Sequence, residues 1–477
     1  MSRARRRPLP PITWQWLVWL VNYIMEAALR FDAGTITVEG LDVQSIPRRF
    51  KWDARVAKFR APAMVRRAVV QSLSRDAIAV ADGTSAAHSL DLRLRTSYAP
   101  RPYQEEALES WVRAGGCGTV ILPTGAGKTF VALGAIAEIE RSTLVVAPTI
   151  DLMSQWYSVL SDAFSTEVGL LGGGYREIRE LTVSTYESAY ILAAEYGNRF
   201  DLIVFDEVHH LPSPKFRQIP EMSTAWWRLG LTATYERQDA SHRDLEHLIG
   251  PVVYRKRVHD LKGEYLADYA IVRIATTLTE DESRRYEAHA AVYYPFVRKT
   301  GIKPHGQGWE EFVRLSARNP EARSALIARQ QMRRIVFGSE RKLEALEALL
   351  KQHCGDKVIV FTEHNELVYR ISREFLIPAI THQTATRERK WILDGFREGM
   401  FSAIVTSKVL NEGIDVPSAK VAIILSGSAS PREYLQRLGR ILRKSGERRT
   451  ALLYEVVTSA TSETGISSRR RKGHADA

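Results

Sequence analysis

The chain has 477 residues, 45% of them hydrophobic, with 67 Lys and Arg against 55 Asp and Glu and a formal charge of +12. That length holds about three domains with separate cores, and the basic excess suits a polyanionic partner, although it is spread along the chain as on any solvated surface. The two cysteines, Cys117 and Cys354, exclude a disulfide framework and an iron–sulfur cluster and suit a reducing cytosol, so a cytoplasmic location is expected.

Arg3 to Arg7 is basic, and Pro8 to Met25 carries no charge and three of the ten tryptophans. The run includes Pro10, Pro11, Gln15 and Asn22, is marginal in length for a bilayer, and lacks a small-residue cleavage site, so no membrane association is expected. Residues 1–28 are read as an extension with two open interpretations. It is either untranslated, with a start at Met25, or disordered; alternatively it is an amphipathic packing helix.

Residues 29–96 form a small leading unit. Gly34 to Glu39 alternates like a strand, and Gly40 breaks it. From Arg48 to Arg67, Phe50, Trp52 and Phe59 interleave with Lys51, Arg55, Lys58 and Arg60, which suits base stacking with phosphate contact and equally a half-buried strand pair.

From about Pro100, short apolar strands alternate with helices, the pattern of a doubly wound parallel sheet. Strands are expected at Thr119 to Leu122, Thr143 to Ala147, Leu181 to Ser184, Leu202 to Phe205 and Arg228 to Leu231. The first runs into Leu122-Pro-Thr-Gly-Ala-Gly-Lys-Thr129, a phosphate cradle in which Thr124, Gly125, Ala126 and Gly127 turn backbone N–H groups toward an anion. Lys128 would reach the β- and γ-phosphates, and Thr129 would ligate magnesium. Phe130 to Ile139 then reads as an apolar helix with its N-terminal dipole toward the phosphates. Leu122 stands where the strict pattern has glycine, a departure that spares the half of the loop that does the cradling.

Leu202 to Phe205 ends in Asp206-Glu-Val-His209, at the strand edge where such sheets bind ligands. Asp206 would hold magnesium, and Glu207 would orient and deprotonate an attacking water. His209 and His210 have no Cys or third ligand beside them and are read as coupling or packing residues.

Thr279 to Phe337 is charged, helical in pattern and free of strand signals, an inserted helical element. Ser339 is placed as the cap of a helix with Leu343, Leu346 and Leu350 on one face. A second strand series follows at Lys357 to Phe361, Ser402 to Thr406, Val421 to Leu425 and Ala451 to Val456. The tail, with Arg469 to Lys472, is expected to be disordered and to hold phosphate loosely.

This order of motifs resembles the superfamily 2 helicases, and specifically the XPB family in its short archaeal-type form, from about Leu29 onward. Arg101-Pro-Tyr-Gln104 resembles the adenine-reading segment, with Arg101 and Gln104 at the nucleotide. Pro148 and Thr149, then Ser184 and Thr185, resemble strand-end motifs that touch the nucleic-acid backbone. Leu231-Thr-Ala-Thr234 resembles the motif that couples hydrolysis to movement, and Thr232, Thr234, His209 and Gln436 take coupling roles. In the second series, Thr362 is implied at DNA, Gly413 and Asp415 of Glu412-Gly-Ile-Asp415 at the nucleotide, and Arg440 and Arg443 as arginine fingers. Three apart on a helix, these two arginines share a face and complete the site only when the lobes close.

The resemblance implies an α/β fold with two RecA-like parallel-sheet lobes of the P-loop NTPase class, a small N-terminal α+β domain and an inserted thumb-like helical element. The corresponding segments are 1–28 extension, 29–96 damage-recognition-like domain, 97–260 first lobe, 261–338 connection with the thumb-like insertion, 339–460 second lobe and 461–477 basic tail. It implies an ATP- and magnesium-dependent DNA helicase of 3′ to 5′ polarity in nucleotide excision repair. Forked, single-stranded or distorted duplex DNA is the expected partner, together with a nuclease, and the chain is expected to act as a monomer. One departure bears on unwinding: the family's DNA-separating Arg-Glu-Asp stands here as Arg237-Gln238-Asp239. A duplex translocase that does not unwind, and an ATP-switched scaffold for a nuclease, therefore remain as alternatives.

Overall fold

The computed structural model describes residues 26–95, 99–235, 241–261, 265, 269–302, 307–407, 419–426, 450–461 and 463–464. Arg237, Gln238, Asp239, Glu412, Gly413, Asp415, Gln436, Arg440 and Arg443 lie outside them, as do most of the N-terminal extension and the basic tail. Among the described residues the strands make three sheets of five, eight and six strands.

The leading sheet, ordered β3-β4-β2-β1-β5, comprises β1 (Glu26–Asp32), β2 (Thr35–Glu39), β3 (Lys51–Asp53), β4 (Lys58–Pro62) and β5 (Ala79–Gly83). Strand β1 begins at Glu26, opposite Ala79, so three residues assigned to the extension pair within this sheet. Helix α1 (Arg66–Arg75) buries Val69 and Leu73 against it. The start of α1 fastens this unit to the next: Arg66 bridges Asp82 and Asp201 at 2.9 and 3.1 Å, and Arg67 donates to Gly115 O at 2.8 Å. Both guanidinium groups lie over the Trp226 ring.

The eight-stranded sheet runs β13-β6-β12-β11-β7-β10-β8-β9, parallel apart from the terminal β8–β9 pair. Its strands are β6 (Cys117–Ile121), β7 (Thr143–Ala147), β8 (Val168–Gly172), β9 (Tyr175–Glu177), β10 (Leu181–Thr185), β11 (Leu202–Asp206), β12 (Trp227–Thr232) and β13 (Val252–Arg255). Helices α2 (Pro102–Arg113), α3 (Lys128–Ile139), α4 (Ile150–Phe164) and α5 (Tyr186–Tyr196) belong to this lobe. Strands β7, β10 and β11 are buried along their whole length; β7 and β11 accordingly read as near-continuous apolar runs, whereas β10 alternates Leu181 and Val183 with the buried hydroxyls of Thr182, Ser184 and Thr185.

The six-stranded sheet is parallel throughout, in the order β14-β19-β18-β15-β17-β16. It contains β14 (Tyr269–Thr276), β15 (Val358–Phe361), β16 (Ala379–Ile380), β17 (Ala403–Thr406), β18 (Val421–Ile424) and β19 (Ala451–Thr458). Strand β14 comes from the segment read as a connection, and it pairs along its full length with β19. Helices α6 (Glu280–Thr300), α7 (Gln307–Arg318) and α8 (Pro320–Phe337) interrupt the chain between β14 and the rest of this lobe, and α9 (Glu340–Gln352), α10 (Asn365–Phe375) and α11 (Thr386–Glu398) follow. Ser339 does occupy the N-cap of α9, but its buried hydroxyl makes no cap bond. Glu282 of α6 accepts from the Glu340 N–H instead, at 3.0 Å, a tertiary cap that no local pattern could announce. No helix among the described residues is long and apolar enough to cross a membrane.

Candidate active site

The site is built by neighbouring strand ends. In the order β6-β12-β11-β7-β10, Ile121 pairs with Thr232 and Leu231 with Asp206, so the phosphate loop, the coupling threonine and the acidic pair emerge side by side. Two strand spacings separate the loop from the acids, about 10 Å.

The loop leads directly into α3, whose N-cap Gly127 has φ +76°. Only glycine fits there, because a Cβ would lie 2.3 Å from Gln104 Nε2. That amide donates to Ala126 O at 3.0 Å and Gly127 O at 3.3 Å, while Gln104 Oε1 accepts from the Arg101 N–H. Tyr103 OH donates to Ala126 O at 2.7 Å, and the Arg101 guanidinium reaches Tyr103 OH and Tyr265 O. Arg101 and Gln104 are thus beside the loop, with Gln104 bracing it. Lys128 Nζ lies 3.4 Å from Leu122 O, and Thr129 follows it in the first turn of α3.

Asp206 and Glu207 sit in unlike environments. Burial, joined by the charge of Glu207, pushes the Asp206 carboxyl up to about 6, against the opposing pull of Trp156 and Lys128. Its oxygens each take one N–H: Oδ2 from Trp156 Nε1 at 2.9 Å and Oδ1 from Glu207 N at 3.0 Å. Glu207 holds φ +48°, ψ +54°, a left-handed conformation that costs a non-glycine residue about 1 kcal/mol and aims its side chain away from the strand direction. Glu207 Oε2 lies 3.2 Å from His209 Nδ1 and 3.3 Å from Thr232 Oγ1, and those two partners are 2.9 Å apart. The Thr232 hydroxyl also reaches Thr234 O at 2.8 Å, so its one proton has two acceptors.

The arrangement fits a magnesium nucleotide. The Thr124 hydroxyl in the loop is buried without a hydrogen-bond partner among the described residues, and two adjacent carboxylates, of which Asp206 is buried and has its pKa raised, call for a cation. No group of three or more His, Cys, Asp or Glu that could hold a metal occurs among the described residues. Magnesium is commonly held by one or two protein oxygens together with phosphate oxygens and water.

The strand-end residues read as DNA contacts are locally engaged. Thr149 caps α4 by accepting from Leu152 N, and Thr185 caps α5 by accepting from Ser188 N. Ser184 Oγ is buried and donates to Leu171 O or Thr185 O, and the buried Thr362 donates to His364 O. Pro148 precedes the Thr149 cap. Across the interlobe cleft, Arg389 of α11 meets Asp151 of α4. Sequence reasoning passed over Trp156, Tyr103, Tyr265 and this ion pair. Their only signal is spatial, since each lies 23 or more residues from the group it serves.

A phosphate loop, an acidic pair and a coupling threonine on adjacent parallel strands, with a second parallel-sheet lobe behind them, define the core of an ATP-dependent helicase. Residues 97–237 match the family described as type III restriction enzyme, res subunit, residues 341–445 the helicase conserved C-terminal domain, and residues 29–83 the xeroderma pigmentosum group B helicase damage recognition domain. The chain is 43% identical over 373 residues to the DNA 3′-5′ translocase XPB2 of Sulfurisphaera tokodaii, covering 78% of this chain and 84% of that one. It belongs to the XPB family. The DNA 3′-5′ helicase XPB of Kineococcus radiotolerans is 32% identical over 81% of this chain, which spans 64% of that relative's length. In fold, the Hef helicase domain of Pyrococcus furiosus superposes with a TM-score of 0.53 at 19% identity, over 78% of this chain and 98% of that one.

Proposed function

We propose that the chain hydrolyses ATP with magnesium to drive 3′ to 5′ movement on DNA, opening or remodelling duplex in nucleotide excision repair. The observation that carries this reading is the convergence of Lys128, Thr232, His209 and the Asp206–Glu207 pair at adjacent strand ends. Lys128 and the Thr124 to Gly127 cradle hold phosphate, and Thr129 and Asp206 hold the metal. Glu207, oriented by His209 and Thr232, receives the proton of the attacking water. Magnesium, when bound, neutralises charge on the phosphate oxygens. The Thr232 proton, shared between Glu207 and the Thr234 carbonyl, lets the coupling segment respond to the state of the acid pair. Outside the described residues, Arg440 and Arg443 are read as the arginine fingers, Gly413 and Asp415 as nucleotide-binding residues and Gln436 as a coupling residue. The 3′ to 5′ polarity is taken from the two relatives, the DNA 3′-5′ translocase XPB2 and the DNA 3′-5′ helicase XPB.

On DNA, the caps at Thr149 and Thr185 take the Leu152 and Ser188 N–H groups, and the ends of α4 and α5 that precede them are proposed to meet phosphate. In the leading sheet the aromatic residues divide. Phe50 is buried, Phe59 is half-buried, and Trp52 is 56% exposed with its ring against Phe59. Arg55 and Arg60 are paired with Asp53 and Lys58 with Glu39, whereas Arg48, Arg49 and Lys51 are exposed. Trp52 with those three cations is the part of the segment fit to stack on a base and hold phosphate.

The test is ATP hydrolysis with and without single-stranded and forked DNA, comparing the native chain with Lys128→Ala. Stimulation by DNA that vanishes in the variant is expected; no stimulation of the native chain would overturn the motor. A second reading, a translocase that does not separate strands, is favoured by Gln238. Triplex displacement without fork unwinding would support it, and equal unwinding by the native chain and Gln238→Glu would count against it. A scaffold for a nuclease would be supported by incision that survives Glu207→Gln unchanged.

A further inference from the structure

Trp156 lies in the second turn of α4, is buried, and packs in the core of the first lobe. A core role accounts for its ring but not for its polar atom. Indole nitrogen is a donor only, and when buried it needs an acceptor. Here the acceptor is Asp206 Oδ2, at 2.9 Å, while Oδ1 is held by the Glu207 N–H at 3.0 Å. One donor on each oxygen fixes the carboxylate plane and leaves lone pairs on both oxygens for a cation. The Glu207 donor belongs to the same loop as the acid. The Trp156 donor belongs to a different element, and any shift of that element moves it.

That element has two other attachments. Its N-cap Thr149 closes the strand end proposed to meet DNA. Asp151, in its first turn, accepts from Arg389 of the second lobe, which is itself held by Thr384 O at 3.1 Å. Asp151 and Trp156 are five residues apart, about 7.5 Å along one rigid helix. A displacement of α4 imposed by DNA or by lobe closure is therefore delivered to the carboxylate that holds the metal.

We propose that Trp156 is a positioning residue: it sets Asp206 for magnesium and carries the position of α4 into the nucleotide site. This rests on the reading of Asp206 as the magnesium ligand, so the test separates the two. Equilibrium binding of methylanthraniloyl-ADP is followed by fluorescence anisotropy in chelator and across a magnesium titration, for the native chain, Trp156→Phe and Asp206→Asn. DNA stimulation of hydrolysis is measured alongside. Phenylalanine keeps the aromatic packing and removes the N–H. Expected for Trp156→Phe is unchanged affinity in chelator, a magnesium requirement raised about tenfold or more, as for other groups that orient metal ligands, and a reduced DNA stimulation at unchanged DNA affinity.

A native magnesium titration in a folded Trp156→Phe protein overturns the proposal, as does equal weakening with and without magnesium. If Asp206→Asn leaves the magnesium dependence intact, the reading of Asp206 fails and the proposal with it. If only Asp206→Asn changes that dependence, the proposal alone fails. Should Trp156→Phe not fold, benzothienylalanine at position 156, with sulfur in place of N–H and the same shape, gives the same two outcomes.

Discussion

Arg389 and Asp151 join the two lobes: the guanidinium Nη1 stands 2.5 Å from the carboxylate Oδ2, with both side chains largely shielded from solvent. A partly buried pair of this kind contributes about 1 kcal/mol, which is about a fivefold bias toward the arrangement that contains it. Arg389→Ala is therefore expected to open the cleft. Energy transfer between dyes on the two lobes should fall, and the DNA concentration for half-maximal hydrolysis should rise severalfold. An unchanged transfer efficiency would show that other contacts hold the lobes.

Asp206 makes the metal-free protein sensitive to pH in a defined direction. Its carboxyl lies near 6 in the fold, against an ordinary 3.8, because burial and Glu207 disfavour the charged form. An acid raised in this way contributes stability that is fully present below its unfolded value and is lost as pH rises through the folded one. In chelator, the melting temperature of the native chain should therefore fall, relative to Asp206→Asn, as pH rises from about 4 to about 6, and level off above that. Under the proposed role of Asp206 as the magnesium ligand, the metal binds the ionised form and should reduce this difference. Parallel melting curves for the two proteins in chelator would contradict the assignment.

Lys342 of α9 and Glu463, beyond β19, form a fully buried pair in which Nζ lies 2.8 and 2.7 Å from the two carboxylate oxygens and 2.6 Å from Leu425 O. Lys342→Met leaves a buried carboxylate without its cation and should cost about 3–5 kcal/mol. Adding Glu463→Gln removes the charge while keeping an acceptor for the Thr458 N–H, and should restore more than half of the loss. Chemical denaturation of the single and double variants measures both numbers.

Trp52→Ala should weaken binding to DNA with unpaired bases by about 1 kcal/mol or more, at least about fivefold, since stacking is worth about 1–3 kcal/mol per base. Hydrolysis at saturating DNA should be unchanged, because Trp52 lies on the leading sheet, away from the phosphate loop. Equal affinities of the two proteins for a bubble substrate would remove this residue from the DNA interface.

Much of the site was legible because its chemistry is local. The Gly125 and Gly127 turn, Lys128 at the start of a helix, and the Asp206–Glu207 pair at a strand end are each written within a few residues. The fully buried strands β7 and β11 were equally plain, because parallel strands covered on both faces are largely apolar. Other elements carried no such mark. Strand β14 finds its partner β19 some 180 residues later, with the helical insertion between them. The segment from Arg48 to Arg67 satisfied two patterns at once, and only packing separated the inward Phe50 from the outward Trp52.

The amino-acid sequence by itself determined the two-lobed α/β plan and the family, since apolar periodicity and motif order act over short stretches. The tertiary structure alone decided which strands are neighbours. Chain order places β7 and β10 between the phosphate loop and the acidic pair, whereas the sheet places β12 there and sets β7 beyond the acids. That rearrangement brings Thr232 to Glu207 and Trp156 to Asp206, and the meeting of the two lobes brings Arg389 to Asp151. A hydrogen bond acts at about 3 Å and is indifferent to separation along the chain, so such pairings exist only once the chain has folded.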